Sequence, residues 1–179
     1  MDSKNHWNKV YTNKSADQVT WFQSNPQQSL DMITATGVPA NGAIIDVGGG
    51  MSFLVDYLLK AGYQDLTVLD IAANALQSSR DRLGVAASDV TWLEADITEV
   101  RLLENRYSLW HDRAVFHFLT ETKDQQRYAA AVRRSLQPGG HIILATFAID
   151  GPPKCSGLDV RRYGDEEISA ALGDGFRLV

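Results

Sequence analysis

Apolar residues fall into short runs that alternate with stretches of helical spacing. Residues 26–35 read as a helix, with Pro26 in its first turn and Leu30, Ile33 and Thr34 at helical spacing; Gly37 and Pro39 end it. Residues 43–47 form an apolar run between Asn-Gly and three glycines, which predicts a buried strand. Residues 52–60 place Phe53, Leu54, Tyr57 and Leu58 on one helical face, and Gly62 closes the turn. The alternation continues with a strand over 66–69 that ends at Asp70, a helix over 73–83 closed by Gly84, and strands over 90–93 and 107–110. A helix over 123–136 spaces Tyr128, Val132 and Leu136 four apart, and Pro138-Gly139-Gly140 turns the chain into a strand over 141–147. A loop with Gly151-Pro152-Pro153, a short helix over 166–172 and a terminal apolar run over 176–179 complete the chain. Strands this apolar, separated by helices, predict an α/β fold: a doubly wound, mostly parallel sheet with helices on both faces. Ligands of such sheets bind beyond the carboxyl ends of the strands. That places the candidate site at residues 48–52, Asp70, Asp96 and the segment after Trp110.

Composition narrows the class. The 179 residues are 44% hydrophobic, with 17 Lys and Arg against 22 Asp and Glu, a formal charge of −5. One domain of ordinary soluble composition is expected over residues 1–179, with no repeat or low-complexity linker. Cys155 is the one cysteine, which excludes an intramolecular disulfide framework and a cysteine-rich zinc site. The longest mostly apolar stretch, 142–149, is far short of the roughly 18–20 residues of a membrane span. Residues 1–8 are polar and carry no signal-peptide core. An acidic chain without a basic run is a poor nucleic-acid binder. The expected setting is cytoplasmic, away from membrane and nucleic acid.

The glycine turn carries the chemistry. Residues 44–52, Ile-Ile-Asp-Val-Gly-Gly-Gly-Met-Ser, read as strand, turn and helix start. Glycines let a ligand approach the backbone, and a helix start offers free N–H groups. By itself the run also fits a tight turn with no ligand. Asp70 ends the next strand, where a carboxylate can accept from both hydroxyls of a ribose, and Asp96 follows the third strand. Either aspartate alone also reads as a cap or a solvated turn residue; three features at three successive strand ends point to a nucleoside. A dinucleotide fingerprint starting at Gly48 needs glycine at position 53, which is Phe, and no arginine follows Asp70. No Gly-Lys-Ser/Thr follows the turn, so a P-loop is excluded. S-adenosylmethionine, with a ribose and no phosphate, remains.

Four segments, Asp46-Val-Gly-Gly-Gly, Val68-Leu69-Asp70, Glu94-Ala95-Asp96-Ile97 and Leu136-Gln-Pro-Gly-Gly, together resemble class I S-adenosylmethionine-dependent methyltransferases over residues 40–147. The resemblance implies that Asp46, Gly48, Gly49, Gly50 and Ser52 hold the methionine end. It implies that Asp70 binds the ribose, that Ile71 lies against adenine, and that Asp96 accepts from the adenine amino group with Ile97 beside it. Residues 107–118 contain His111, Asp112 and Arg113, similar to the Asp-Arg/Lys-Gly stretch of thiopurine-methyltransferase-like and lysine-methyltransferase-like bacterial members, with Ala at position 114 where those often have Gly. These three are the candidate catalytic residues; Arg113 also reads as an internal partner of Asp112 or a helix cap. His111, Asp112 and His117 can also be read as a metal set, but no further ligand cluster has suitable spacing, and no metal is assigned. The rim segment 151–163 is similar to a Cys-Ser-Gly-Leu and Arg-Tyr stretch of related methyltransferases, and offers Arg162 and Tyr163 as substrate-binding candidates. Cys155 is not assigned as a nucleophile, because methyl transfer needs no covalent enzyme intermediate.

Trp7, Tyr11, Trp21 and Phe22 give the first forty residues an aromatic character, and aromatic faces attract a sulfonium cation by roughly 0.5–2 kcal/mol. Tyr11 and Trp21 are therefore candidate cofactor contacts in an N-terminal lid over residues 1–40; ordinary packing on the sheet is the alternative. Residues 41–147 form the expected cofactor core, and 148–179 a substrate-side part. The implied reaction is in-line methyl transfer to a sulfur, nitrogen or oxygen nucleophile of a small molecule or protein side chain. A protein that binds S-adenosylmethionine or S-adenosylhomocysteine without turnover is the competing reading, and a nicotinamide oxidoreductase a third. The family's sheet has seven strands. This sequence supplies five and the start of a sixth at 176–179, so the last is expected to be missing, with a homodimer or a disordered C-terminal rim at the open edge.

Overall fold

The computed structural model describes residues 3–13 and 15–179. Its strands form where the apolar runs predict them. β1 (Ile44–Val47), β2 (Leu66–Asp70), β3 (Val90–Glu94), β4 (Tyr107–Arg113) and β5 (Leu136–Ala145) form one sheet in the order β3-β2-β1-β4-β5, every pairing parallel. Adjacent strand residues point to opposite faces, so each buried strand feeds two cores. Ile45, Val47, Leu69 and Trp110 pack with Tyr128 and Val132 of α5 (Thr122–Ser135) and Leu172 of α6 (Asp165–Leu172). Ile44, Val68, Leu109 and Ile143 pack on the other face with Ile33 of α2 (Gln27–Ala35), Leu54 and Leu58 of α3 (Leu54–Lys60) and Leu76 of α4 (Ala73–Leu83). α1 (Ser3–Asn13) contributes no buried residue. Among the described residues no helix is long and apolar enough to cross a membrane.

The structure departs from the sequence expectations in four places. β4 runs three residues past Trp110, because its polar end is satisfied inside the protein: His111 and Asp112 are buried and hydrogen-bonded. Pro138-Gly139-Gly140 does not precede β5 but lies within it. Leu136 pairs with Tyr107 and His141 with Leu109, so residues 137–140 bulge opposite Ser108 alone, with Gly139 at φ +77°. The loop after Pro153 folds into a hairpin of β6 (Lys154–Cys155) and β7 (Leu158–Asp159). Its turn residues Ser156 and Gly157 both have positive φ, 52° and 80°, the geometry of a two-residue hairpin. Residues 176–179 form no sixth strand; Phe176 instead packs against the core on the α5–α6 side.

Candidate active site

The β1–α3 turn is built for close approach. Gly48 has φ +70°, and a Cβ there would collide with Val115. A Cβ on Gly49 would sit 2.5 Å from Asp46 Oδ2, and one on Gly50 would sit 2.6 Å from Asp70 Oδ2. Gly49 and Gly50 therefore let two carboxylates come against the backbone, and Gly48 leaves room for Val115. Gly48 N donates to the Leu69 carbonyl at 2.7 Å, tying the turn to β2. From behind, Ser79 Oγ donates to the Gly50 carbonyl at 2.6 Å, and Arg82 donates to the carbonyls of Met51 and Ser52 at 3.2 and 2.7 Å. Arg82 is itself paired with Asp56 at 2.7 Å. Ser52 Oγ accepts from Leu54 N at 3.1 Å and starts α3.

Beyond the strand ends lies a cavity of about 500 Å³, the size of a small-molecule site. Gly48, Gly49, Ser52, Asp70, Ile71 and Asp96 reach it, with Ile97 alongside. Asp46 and Gly50 stand one layer behind: Asp46 lies against Gly49, and Gly50 leaves room for Asp70. Asp70 is 5% exposed, and its Oδ1 accepts from Ala72 N at 2.8 Å. Burial pushes its carboxyl up to about 7; the Ala72 N–H pulls the other way, and Asp46 adds to the rise. Asp96 commits Oδ1 to Thr98 N and Thr98 Oγ1, at 2.8 and 2.7 Å.

The cavity's cover is aromatic. Trp7 lies 6.0 Å from Tyr11, 5.8 Å from Trp21 and 5.0 Å from Phe118, ring centre to ring centre, and all four line the space. Tyr11 is only partly covered as a residue, but its hydroxyl end is desolvated, which, with Asp70 adding, raises that hydroxyl far above its ordinary range. α1 is fastened from outside: Asn74 Nδ2 donates to the Asn8 carbonyl at 2.8 Å and to Thr12 Oγ1 at 2.9 Å, and Lys4 pairs with Glu94 at 2.6 Å.

A glycine turn, an acidic strand end and a second acid after the third strand thus stand around one cavity. The family model described as a methyltransferase domain matches residues 44–140, more than half the chain. The chain belongs to the methyltransferase domain family. A relative from Mus musculus, an eEF1A lysine and N-terminal methyltransferase, is 20% identical over 152 residues, 82% of this chain and 22% of that protein. The biotin biosynthesis bifunctional protein BioCD of Bordetella avium is 29% identical over 130 residues, 72% of this chain and 27% of that protein. The chain spans about a quarter of the length of these relatives. Among solved structures, one concerned with conversion of a disulfide bond into a thioacetal group during echinomycin biosynthesis superposes with a TM-score of 0.69. It is 22% identical, over 82% of this chain and 61% of that one. The glycopeptide N-methyltransferase MtfA, complexed with S-adenosylmethionine, gives 0.61 at 23% identity, over 73% and 57%. These likenesses establish the shared fold.

Within this methyltransferase domain the expected catalytic triplet is divided. Alternation along β4 sends His111 and Asp112 to opposite faces of the sheet, and only Arg113 reaches the cavity. His111 is 3% exposed, with Nδ1 2.7 Å from Asp46 Oδ1 and Nε2 2.9 Å from Ser29 Oγ. Asp112 is fully buried: Oδ1 accepts from Val115 N at 2.7 Å, and Oδ2 from Phe116 N at 3.1 Å and the Tyr128 hydroxyl at 2.6 Å. Burial pushes Asp112 up to about 6, against the pull of the Tyr128 hydroxyl. Both residues therefore brace the site from within, a correction to their expected place beside the reacting methyl. Between Arg113 and the Asp112-bound amides stands Ala114 at φ +76°. The methyltransferase domain keeps here the backbone shape that glycine adopts freely; Ala114 N, donating to the Ala145 carbonyl at 2.9 Å, helps to hold it.

Arg162 and Tyr163 are also displaced from their expected role. Arg162 is exposed and donates to the Gly151 carbonyl at 3.1 Å; Tyr163 is 3% exposed and packs on Phe116. Neither lines the cavity. His111, Asp112 and His117 do not converge, and no group of three potential ligands for a metal forms among the described residues. Thr146, Phe147 and Cys155 do line the cavity. The signal for Cys155 was Ser-Gly at 156–157, a turn dipeptide that reverses the chain and places Cys155 on the cavity wall.

Proposed function

We propose that this domain binds S-adenosylmethionine in the cavity and transfers its methyl group to a small-molecule or side-chain nucleophile. The observation that carries this reading is Asp70: a buried carboxylate at a strand end, facing the cavity, with Gly50 leaving it room. Its chemistry fits two ribose hydroxyls, which donate where a carboxylate accepts. Ile71 and Ile97 supply apolar faces for adenine, and Asp96 an acceptor for its amino group. The turn at Gly48 and Gly49, with Ser52, takes the methionine end, and Asp46 acts through the turn it supports. Tyr11, Trp21 and Trp7 offer aromatic faces to the sulfonium. In this reading residues 1–40 are a lid, 41–147 the cofactor core and 148–179 the acceptor-side wall.

When bound, the cofactor supplies a methyl group on a positively charged sulfur that leaves as a neutral thioether, so positioning supplies much of the rate. Among the described residues no histidine lines the cavity. The residues around it orient the acceptor and keep water out, and the acceptor brings its own free lone pair.

Calorimetric titration with S-adenosylmethionine and S-adenosylhomocysteine tests the cofactor, and a methyl-donor turnover screen tests the reaction. Asp70→Ala removes charge-assisted hydrogen bonds of about 1.5–3 kcal/mol and is expected to weaken binding roughly 10- to 100-fold. Absence of binding by either ligand rejects the assignment; binding without turnover over thiol, amine and hydroxyl acceptors favours a binding protein.

A further inference from the structure

We infer that the acceptor is a small apolar molecule carrying a carboxylate, and that Arg113 is its anchor; this rests on the cofactor reading above. The strand order divides the cavity. Among the described residues two acids line it, Asp70 at the end of β2 and Asp96 after β3; both lie on one side of β1, and Arg113 at the end of β4 lies on the other with Thr146 and Phe147 after β5. The ribose and adenine contacts use the acidic side. The opposite side is walled by Phe118, Leu119 and Phe147, with Thr146 and Cys155 as small polar groups.

Among the described residues Arg113 is the one cationic side chain lining this space, and it is half-buried. Among the described residues it forms no ion pair; its one hydrogen-bond acceptor is the Trp21 carbonyl, at 3.2 Å. A guanidinium has five N–H donors, so its fork is largely unspent. A half-buried guanidinium with most of its donors unspent and no counter-ion is incompletely satisfied, and a carboxylate is the planar group that satisfies the fork with two parallel bonds. The same charge opposes an ammonium acceptor. A lysine entering from a protein would meet Arg113 and find, among the described residues lining the cavity, no carboxylate on that side of β1. The cover of Trp7, Trp21 and Phe118 leaves an aromatic-walled space suited to a compact apolar body.

The test is calorimetry on the full chain in saturating S-adenosylhomocysteine, which fills the cofactor side. The probes are benzoate and phenylacetate, their neutral amides benzamide and phenylacetamide, and benzylamine. The acids are expected to bind at least tenfold tighter than the amides, with benzylamine weakest. Arg113→Met is expected to erase the difference between acid and amide while S-adenosylhomocysteine affinity stays within threefold; Arg113→Lys keeps part of the preference. Equal binding of acids and amides, or tighter binding of benzylamine, overturns the inference. So does an Arg113→Met loss of S-adenosylhomocysteine affinity as large as its loss of benzoate, which would assign the guanidinium to the cofactor. The wild-type contrast and Arg113→Lys decide the matter if Arg113→Met does not fold. Failure of S-adenosylhomocysteine to bind the wild type removes the cofactor reading as well, whereas its binding without an acid preference removes this inference alone.

Discussion

Asp70 carries two demands that pull against each other. Its place at the end of β2 buries it, and burial holds its carboxyl up to about 7. In its proposed role, accepting from ribose hydroxyls, it must be ionised. Below pH 7 it is mostly protonated, so cofactor binding must expel a proton, and affinity falls by up to about tenfold per pH unit. S-adenosylhomocysteine affinity is therefore expected to be flat above about pH 8 and to weaken steadily toward pH 5.5. Asp70→Asn should bind more weakly and lose that slope. A wild-type affinity unchanged across this range would show that the Asp70 carboxylate does not receive the cofactor's donors. At this scale the sequence was readable where chemistry and spacing are local: the glycines and Asp70 declare themselves by their distance from two apolar runs. It was not readable for His111 and Asp112. Adjacent residues look like one cluster in a sequence, but a strand that continues three residues further turns them to opposite faces, where Ser29 and Tyr128 wait from distant helices.

α1 is the element whose role is least fixed by the core. It buries no residue, yet Trp7 and Tyr11 line the cavity, and its polar side is clasped by Asn74 on α4. An element attached in this way can open without unfolding what it covers. Asn74→Ala removes two hydrogen bonds of about 0.5–1.5 kcal/mol each. It is expected to speed S-adenosylhomocysteine release several-fold in stopped-flow measurements, with melting of the free protein changed by no more than a few degrees. A large drop in melting temperature with unchanged release would make α1 part of the packed body instead of a cover. The elements that the sequence predicted well are those whose apolar runs meet buried faces, β1 and β2 above all. The bulge at 137–140 and the hairpin at 154–159 depend on turn geometry and pairing partners, which apolar periodicity does not register.

The charges inside the whole molecule set how its stability responds to pH. Asp70 and Asp112, raised to about 7 and about 6, hold protons in the folded state that the unfolded chain releases near 3.8. Folding binds protons there, so the share of stability from these two carboxyls falls as pH rises from about 4 to 7. His117 acts in the opposite sense. Burial between Phe118 and Phe147 lowers it to about 4 from 6.5, so its share is lost as pH falls through that window. The cofactor enters this balance through Asp70 alone, because Asp112 lies outside the cavity with its oxygens already bonded. Ligand at a hundred times its dissociation constant adds about 2.7 kcal/mol. For a chain of this size that raises the melting temperature by roughly 5–10 °C. At one fixed concentration of S-adenosylhomocysteine the rise is expected to be larger at pH 8 than at pH 5.5, since the ligand must displace the Asp70 proton at the lower pH. Asp112→Asn should leave that difference intact, and Asp70→Asn should remove it. The reverse pattern would mean that proton release on binding comes from the brace behind the site and not from the carboxylate that faces it.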